Sequence, residues 1–244
     1  MSGDGLRRGV AEFIGAFALT FIGVGSIAVG ADLVGVALAH GLVIAVMVSA
    51  VGHISGGHFN PAVTFAFLVT GRMALPLALV YLVAQLAGAV VAALFLTELL
   101  PDSLREPIDL GAPAIAAGIG VGDAVVLEAI LTFFLVWVVF ATAADERGTF
   151  KSIAGLAIGL TITLDILFAG PLTGAVMNPS RAFGPQLIGG HWADGWIWYV
   201  GPLVGAATAA LLYEYLYLRP LRPVPVGAPE TGLDEPRPGE TAVS

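Results

Sequence analysis

Six apolar stretches run along this 244-residue chain, and each is long enough to cross the hydrocarbon core of a bilayer. They lie near residues 10–30, 34–52, 74–99, 123–143, 152–170 and 195–217. Only 11% of the residues are charged, against about 25% in soluble domains. The sequence therefore predicts an all-α membrane protein with six transmembrane helices, the first of them retained rather than cleaved as a signal peptide.

Two further segments, residues 57–72 and 174–190, are too short and too interrupted to span the membrane. Each contains an Asn-Pro pair, which begins at Asn60 in the first segment and at Asn178 in the second. Asn is a favoured N-cap residue, and Pro is favoured at the first position of a helix. A helix of about ten residues is about 15 Å long, half of the hydrocarbon core. We therefore expect two re-entrant half-helices.

The two halves of the chain repeat. Matching residues recur at offsets of 116, 118 and 117 positions: Glu12 with Glu128, Asn60 with Asn178, and Gly88 with Gly205. Because each half contains three spans, the halves must insert with opposite orientation, which gives inverted repeats about an axis in the membrane plane. Repeat one is predicted at about 9–100 and repeat two at about 123–217.

The distribution of basic residues sets the orientation. With a cytoplasmic N-terminus, eight of the ten Lys and Arg residues face the cytoplasm, whereas Arg105 lies outside and Arg181 lies in the second re-entrant segment. The positive-inside rule therefore predicts that residues 1–8 and the C-terminus are cytoplasmic. Residues 218–244 are polar and rich in proline, which predicts a disordered cytoplasmic tail.

Inverted symmetry brings the two half-helices in from opposite faces, so that their N-termini meet near the midplane. Irregular backbone at that depth is tolerated only where it is buried or lines a cavity, so we expect a cavity there. The side-chain oxygens of Asn60 and Asn178 should cap their own helices and leave the NH₂ groups free as donors to a passing water molecule. Two converging positive dipole ends disfavour cations and protons.

Two motifs resemble the paired Asn-Pro-Ala motifs of the aquaporin, or major intrinsic protein, family: His58-Phe59-Asn60-Pro61-Ala62-Val63-Thr64 and Asn178-Pro179-Ser180-Arg181. Ser180 stands where the family has Ala, but Asn and Pro do the capping, so the geometry should be kept. The resemblance covers residues 9–217. It implies a passive channel domain that conducts water, excludes protons and ions, and forms a homotetramer in the lipid bilayer.

The resemblance also identifies a selectivity constriction. Arg181 follows Asn178 by three residues, as the constriction Arg of the family does, and the other three positions fall on His40, Ile166 and Ala175. This set is similar to that of the plant tonoplast intrinsic proteins. Ile and Ala are smaller and less polar than the His and Thr of strict water channels. The resemblance therefore implies a wider constriction, with ammonia as a second permeant beside water.

Three further residues are expected to support the re-entrant loops. Glu12 and Glu128 are acids inside predicted spans, where an ionisable residue has a function or a specific partner. In the family, the equivalent acids accept hydrogen bonds from the backbone of the loops, and the equivalent of His58 lines the pore and supports its loop.

Glycerol-conducting relatives carry Asp after the constriction Arg, where this chain has Ala182, and this difference favours water over glycerol.

Other functions stay open as alternatives. The main alternative is a facilitator of glycerol or small neutral solutes. An ion-coupled secondary transporter is the next, because inverted repeats with broken helices occur there too. Such a transporter should place acids at the midplane, where this chain has Asn60 and Asn178. We expect no enzyme activity, no cofactor or metal and no nucleic-acid partner, and a location in the plasma membrane.

Overall fold

The computed structural model describes residues 3–147 and 151–219, so the predicted disordered tail lies outside the described residues from position 220 onward. Within the described residues the regular structure is helical throughout. The main helices are α1 (Gly3–Ala28), α2 (Leu33–Ser55), α3 (Pro61–Val69), α4 (Leu75–Leu99), α5 (Asp102–Arg105), α6 (Val121–Val139), α7 (Ala154–Thr173), α8 (Pro179–Gly189) and α9 (Ile197–Tyr213).

The long helices account for the six predicted spans. In the described part of the chain, five helices are long and apolar enough to cross a membrane: α1, α2, α4, α7, and α6 with its extension to Ala144. The sixth span corresponds to α9, which has 17 residues and continues through a π-helical turn at Glu214–Leu218. A similar turn at Phe140–Ala144 extends α6. The two short helices that remain in the bundle, α3 and α8, are the half-helices.

Helix α1 begins at Gly3, well before the apolar stretch predicted near residue 10. Asp4 lies in its first turn, where a negative charge is favourable next to the positive end of the helix dipole. The Asp4 carboxylate also accepts hydrogen bonds from Arg7 at 2.9 Å and from Arg8 at 2.7 Å. These pairs at three- and four-residue spacing stabilise a helical turn that is polar on its surface.

The six long helices form an incomplete ring that the half-helices close. Neighbouring helices around the ring pack against each other in the order α4, α1, α2, α7, α6 and α9. Helix α3 packs against α9 and α4, while α8 packs mainly against α4. The half-helices therefore fill the side of the ring between α4 and α9, and their N-termini point inward.

Glycines at equivalent positions of the two repeats allow close helix crossings. A Cβ atom on Gly88 of α4 would lie 2.4 Å from the Phe13 carbonyl oxygen of α1. A Cβ atom on Gly205 of α9 would lie 2.0 Å from the Ala129 carbonyl oxygen of α6. Both distances are far below van der Waals contact. The two glycines are repeat equivalents, so both repeats bring their first and third helices together in the same way.

We call the side of the bundle at which α1 begins and α9 ends the terminal face, and the other side the opposite face. On the terminal face, the fully buried Glu214 side chain pairs with Arg72 at 2.6 Å and approaches Arg219 at 3.9 Å. Arg72 follows α3, so this ion pair connects the end of the first half-helix to the end of α9. Removing either member of such a buried ion pair is costly, because the other charge is left buried without a partner.

A second charged cluster joins α6 to α9 on the terminal face. The Asp145 carboxylate, at the end of the α6 extension, accepts hydrogen bonds from Arg147 Nη2 at 2.7 Å and from Arg147 Nε at 3.0 Å. Tyr213 donates to the same carboxylate at 3.2 Å, and Arg147 donates to the Tyr217 carbonyl oxygen at 3.2 Å. The Arg147 hydrogen bonds lower the pKa of Asp145 to about 2.

This low pKa predicts the pH range in which the Asp145 carboxylate stabilises the fold. A carboxylate whose pKa is lower in the folded state stabilises the fold above its unfolded pKa, and that contribution is lost as the pH falls through its folded pKa. We expect Asp145→Asn to lower the thermal unfolding temperature in detergent equally at about pH 5 and 8, and less at about pH 3. The control is Asp102→Asn, which removes an exposed carboxylate that pairs with Arg105, and its effect should be smaller. A difference that grows as the pH falls would contradict the prediction.

Candidate functional site

The half-helices α3 and α8 are capped as the sequence predicts. Asn60 has an extended backbone, and its side-chain oxygen accepts a hydrogen bond of 2.8 Å from the Ala62 N–H group. Asn178 accepts in the same way from Ser180 N–H at 3.0 Å and Arg181 N–H at 3.3 Å. The helices contain nine and eleven residues, about half a membrane thickness each.

The two N-termini are joined by reciprocal hydrogen bonds. The Asn60 amide group donates to the Met177 carbonyl oxygen at 2.9 Å, and the Asn178 amide group donates to the Phe59 carbonyl oxygen at 2.9 Å. The expectation that both NH₂ groups stay wholly free is therefore wrong. Each amide uses one N–H to hold the opposite loop and has one other N–H, because an asparagine amide carries two.

The loops before the half-helices have matching backbone conformations. Phe59 and Met177, which precede the asparagines, have left-handed φ angles of 49° and 53°. Two residues earlier, Gly57 and Ala175 have φ angles of 67° and 45°. A residue other than glycine in this region costs about 1–3 kcal/mol and persists only when its surroundings hold it there. Both loops must therefore be held by strong contacts.

Glu12 supplies those contacts to the first loop. Its fully buried carboxylate accepts hydrogen bonds from the His58 N–H at 3.0 Å and the Phe59 N–H at 2.6 Å. The Ser55 hydroxyl donates at 2.7 Å and the Gln85 amide at 2.8 Å. The carboxylate thus satisfies two loop N–H groups that have no helical partner.

Glu128 does the same for the second loop. Its fully buried carboxylate accepts from the Val176 N–H at 3.0 Å, the Met177 N–H at 2.8 Å and the Thr173 hydroxyl at 2.7 Å. Each of these donors lies 118 positions after its counterpart around Glu12. The two braces are therefore copies of one arrangement, related by the internal repeat.

Sequence reasoning missed several members of these braces. Tyr81 donates to the Ser55 carbonyl oxygen at 2.6 Å, and Trp198 donates to the Thr173 carbonyl oxygen at 2.9 Å. Gln85 is the other omission. Ser55 and Thr173 stand at the repeat offset, so a search for small hydroxyl residues at that offset would have found this pair. Tyr81 and Trp198 share only an aromatic ring with a donor, which is a weak signal in a single sequence.

His58 lies beside the first loop, where the sequence places it. Its ring Nδ1 is 3.1 Å from the Thr64 hydroxyl oxygen, and its ring packs against Phe67 at 4.6 Å and Tyr81 at 5.3 Å between centroids. The ring therefore fixes the first turn of α3 from the side, while the backbone N–H group of His58 donates to Glu12. Its repeat equivalent, Val176, retains only the backbone part of this arrangement.

A cavity of about 130 Å³ runs past the junction of the half-helices. Both asparagines line it, together with His58 and the four predicted constriction residues. Glu12 and Glu128 are not among its lining residues, because they lie behind the loops that they brace. Most of the remaining lining residues are aliphatic: Leu19, Ile44, Val63, Leu135, Val139, Ala143, Ile158, Ile162 and Val176.

A second cavity of about 350 Å³ opens on the opposite face. Four residues line both cavities and mark the place where they meet: His40, Ile166, Gly174 and Arg181. Ala175 lines only the inner cavity. Three of the four predicted constriction residues therefore lie together at the junction, and Ala175 lies just inside it.

His40 and Arg181 face each other at this junction. The His40 Nδ1 atom lies 2.9 Å from the Val36 carbonyl oxygen, which can only accept, so Nδ1 carries the hydrogen. That assignment leaves Nε2 as an acceptor, 3.5 Å from Arg181 Nη2. Arg181 Nη1 donates to the Gly111 carbonyl oxygen at 2.7 Å. Arg181 is only 6% exposed, so it does not reach the membrane surface by snorkelling.

Asp165 is a further acid inside a transmembrane helix. It is buried in α7 next to Ile166, but it is not among the lining residues of either cavity. Its Oδ2 atom has no hydrogen-bond partner in the described part of the chain. Nothing in the geometry links it to the junction of the cavities.

Two repeats of opposite orientation, two half-helices that meet end to end and a cavity at their junction define a membrane protein of the channel type. The chain belongs to the major intrinsic protein family, because residues 2–213 match the family model described as Major intrinsic protein. The predicted family and the predicted aquaporin-like fold are thereby confirmed. Aquaporins of this family are passive channels, so the chain is an integral multi-pass channel protein and not an enzyme.

Relatives are similar over most of the chain. The Arabidopsis thaliana protein named Probable aquaporin TIP3-2 is 45% identical over 232 residues, 88% of this chain and 85% of that protein. Aquaporin TIP4-4 of Zea mays is 43% identical over 224 residues, 87% of each chain. The X-ray structure of the aquaglyceroporin from Plasmodium falciparum has a TM-score of 0.77 at 25% identity, covering 89% of this chain and 98% of that chain.

The Glu128 brace generates a stability prediction. Glu128→Gln keeps the shape of the side chain but replaces one acceptor oxygen with a donor, which leaves a buried loop N–H without a partner. We expect the free energy of unfolding to fall by about 1–3 kcal/mol, measured as a lower unfolding temperature in detergent. The exposed Glu106→Gln is the matched control. Equal stability of the two variants would rule out the bracing role.

Proposed function

We propose that the chain is a passive water channel whose pathway runs through the two cavities. The observation that carries the proposal is the pair of asparagine-capped half-helices whose N-termini meet in one lumen. Each asparagine amide carries a second N–H, beyond the one that holds the opposite loop. A water molecule that passes between two aliphatic walls can accept from these donors, and this compensates for part of the hydration that it loses.

The same arrangement opposes ions and protons. The N-terminal ends of α3 and α8 both present partial positive charge to the lumen. A cation would meet that potential while losing its hydration shell. A proton would need a continuous chain of waters that each accept and donate, whereas the asparagines only donate to a water at the midplane.

The position of the acids favours passive conduction over ion coupling. A coupled transporter needs carboxylates that an ion can reach in the lumen. Both intramembrane acids of the first and fourth spans, Glu12 and Glu128, are fully buried behind the loops, and their oxygens accept from loop N–H groups and side chains. They have the surroundings of structural groups and not of an ion site.

We further propose that His40, Ile166, Ala175 and Arg181 form the selectivity constriction. Arg181→Val should keep water flow and admit larger neutral solutes and protons, because it removes both the bulk and the positive charge at the junction of the cavities. Stopped-flow light scattering and a pH-sensitive dye on reconstituted vesicles would measure these fluxes. Arg105→Val, at the other arginine of the opposite face, is the matched control. Unchanged solute and proton leakage in assembled Arg181→Val would remove Arg181 from the constriction.

Ammonia is the second permeant that we propose. Ile166 gives the constriction an apolar side, and an apolar wall penalises ammonia less than water because ammonia is less strongly hydrated. His40 Nε2 provides a polar atom on the other side. Ala175 has a left-handed backbone, so a β-branched residue at that position would be strained, and a test is better made at Ile166.

We expect Ile166→His to lower ammonia permeability while water permeability stays within a few-fold, because the imidazole adds bulk and a polar wall. Ile162→His, one turn away in the same lumen, is the control and should leave the ratio of ammonia to water permeability closer to the native value. The native protein should pass little glycerol. Native vesicles with no ammonia flux above that of empty vesicles would refute the proposal and leave a plain water channel.

For orientation and assembly, we propose cytoplasmic termini and a homotetramer in a lipid bilayer. The cytoplasmic termini are supported by the positive-inside rule, and the tetramer is typical of the family. The relatives are aquaporins of the tonoplast type. The plasma-membrane location expected from the sequence therefore loses its support, and an internal membrane becomes the better proposal.

A further inference from the structure

Three consecutive residues on the opposite face, Asp109, Leu110 and Gly111, form a segment that we call the strap. Its last carbonyl oxygen, on Gly111, accepts the 2.7 Å hydrogen bond from Arg181 Nη1. We propose that the strap, anchored by the Leu110 side chain, is a positioning element that keeps the Arg181 guanidinium against the wall of the constriction. This inference rests on the proposed role of Arg181 in water conduction.

The strap has a backbone that it would not adopt without support. Asp109, Leu110 and Gly111 have φ angles of 49°, 54° and 75°, all in the left-handed region. Glycine accepts this region readily and Asp tolerates it, but Leu avoids it. Strained residues persist only when surrounding contacts hold them, and they occur most often at functional sites. The contacts of the strap therefore determine where its last carbonyl oxygen points.

Leu110 provides the main contact. Its side chain is only 6% exposed and packs into an apolar cluster with Val24 of α1 and with Ala93 and Leu96 of α4. Directly after it, Gly111 lies so close to α1 that a Cβ atom there would be 2.7 Å from a Val24 methyl group. The strap is thus pressed onto the gap between two transmembrane helices.

Asp109 adds a weaker contact. Its carboxylate lies 3.3 Å from His191 Nε2, beyond the end of α8. Both side chains are about half exposed, so solvent screens this pair strongly. The buried Leu110 side chain is therefore the principal anchor, and the His191 pair restrains the outer edge of the strap.

The strap matters because Arg181 has little else to hold its guanidinium. Its other guanidinium contact in the described residues is the 3.5 Å approach to His40, which is long for a hydrogen bond. Without the Gly111 carbonyl oxygen, the guanidinium is free to turn into the lumen beside Ile166. A long cation there obstructs the junction of the two cavities. Loss of the strap should therefore reduce water flow, because the displaced Arg181 side chain itself obstructs the pathway.

Two variants displace the strap by different routes. Leu110→Gly removes the anchor but permits the left-handed backbone, whereas Gly111→Ala keeps the anchor and pushes the strap away from α1. We expect each to lower water permeability of the full chain in vesicles by about three-fold or more, through its coupling to Arg181. Leu110→Met, which keeps an apolar anchor, should stay close to native. Asp102→Ala, which breaks a surface pair with Arg105 in the same connection, is the matched control.

The decisive measurement repeats both variants in an Arg181→Val background. If the strap acts by positioning the guanidinium, the reduction should disappear there, because no guanidinium is left to misplace. A reduction of equal size in both backgrounds, or native permeability in both strap variants, would overturn the proposal. Size-exclusion chromatography selects assembled protein, and if Leu110→Gly fails to assemble, Gly111→Ala alone decides. An absence of water flux in the native chain would instead refute the proposed function.

Discussion

A backbone N–H or C=O group at the membrane midplane must be hydrogen-bonded inside the protein, and the architecture of this channel follows from that requirement. Two loops break the helical backbone at that depth. Each delivers two N–H groups to one buried carboxylate, on Glu12 or on Glu128. The carbonyl oxygens that remain on Phe59 and Met177 accept from the asparagine of the opposite half-helix. The loops therefore satisfy each other, and neither is complete without its repeat partner.

The location of the negative charges follows from the same requirement. A carboxylate is the strongest acceptor for orphaned N–H groups, but a carboxylate in the lumen would attract cations and oppose the two helix dipoles. Glu12 and Glu128 resolve this conflict because they lie behind the loops, where they accept from the backbone and do not line the cavity. The lumen is left with neutral amide donors and aliphatic walls. Support of the fold and exclusion of ions thus depend on the same two positions.

The sequence predicts the features that occur in both repeats. It does not predict the contacts between the repeats or the structure of the connection that joins them. The offset near 118 residues pairs Asn60 with Asn178, and local capping chemistry then predicts half-helices. The reciprocal hydrogen bonds between the asparagines and the opposite loops need the three-dimensional meeting of two distant segments, so local capping chemistry alone predicts a free NH₂ group instead. The strap lies in the connection between the repeats, where no counterpart exists. Its left-handed Leu110 contradicts local propensity, and only tertiary packing imposes it.

The proposed constriction lies where the repeats differ. The offset of 118 residues maps Arg181 onto Val63 and His40 onto Ile158, and all four residues line the same cavity. The braces cannot diverge without leaving a backbone group unpaired at membrane depth, whereas these positions carry only side chains that face the lumen. They are therefore free to become polar in one repeat and apolar in the other. This freedom explains why polar residues can line one side of the midplane although the scaffold offers two equivalent sides.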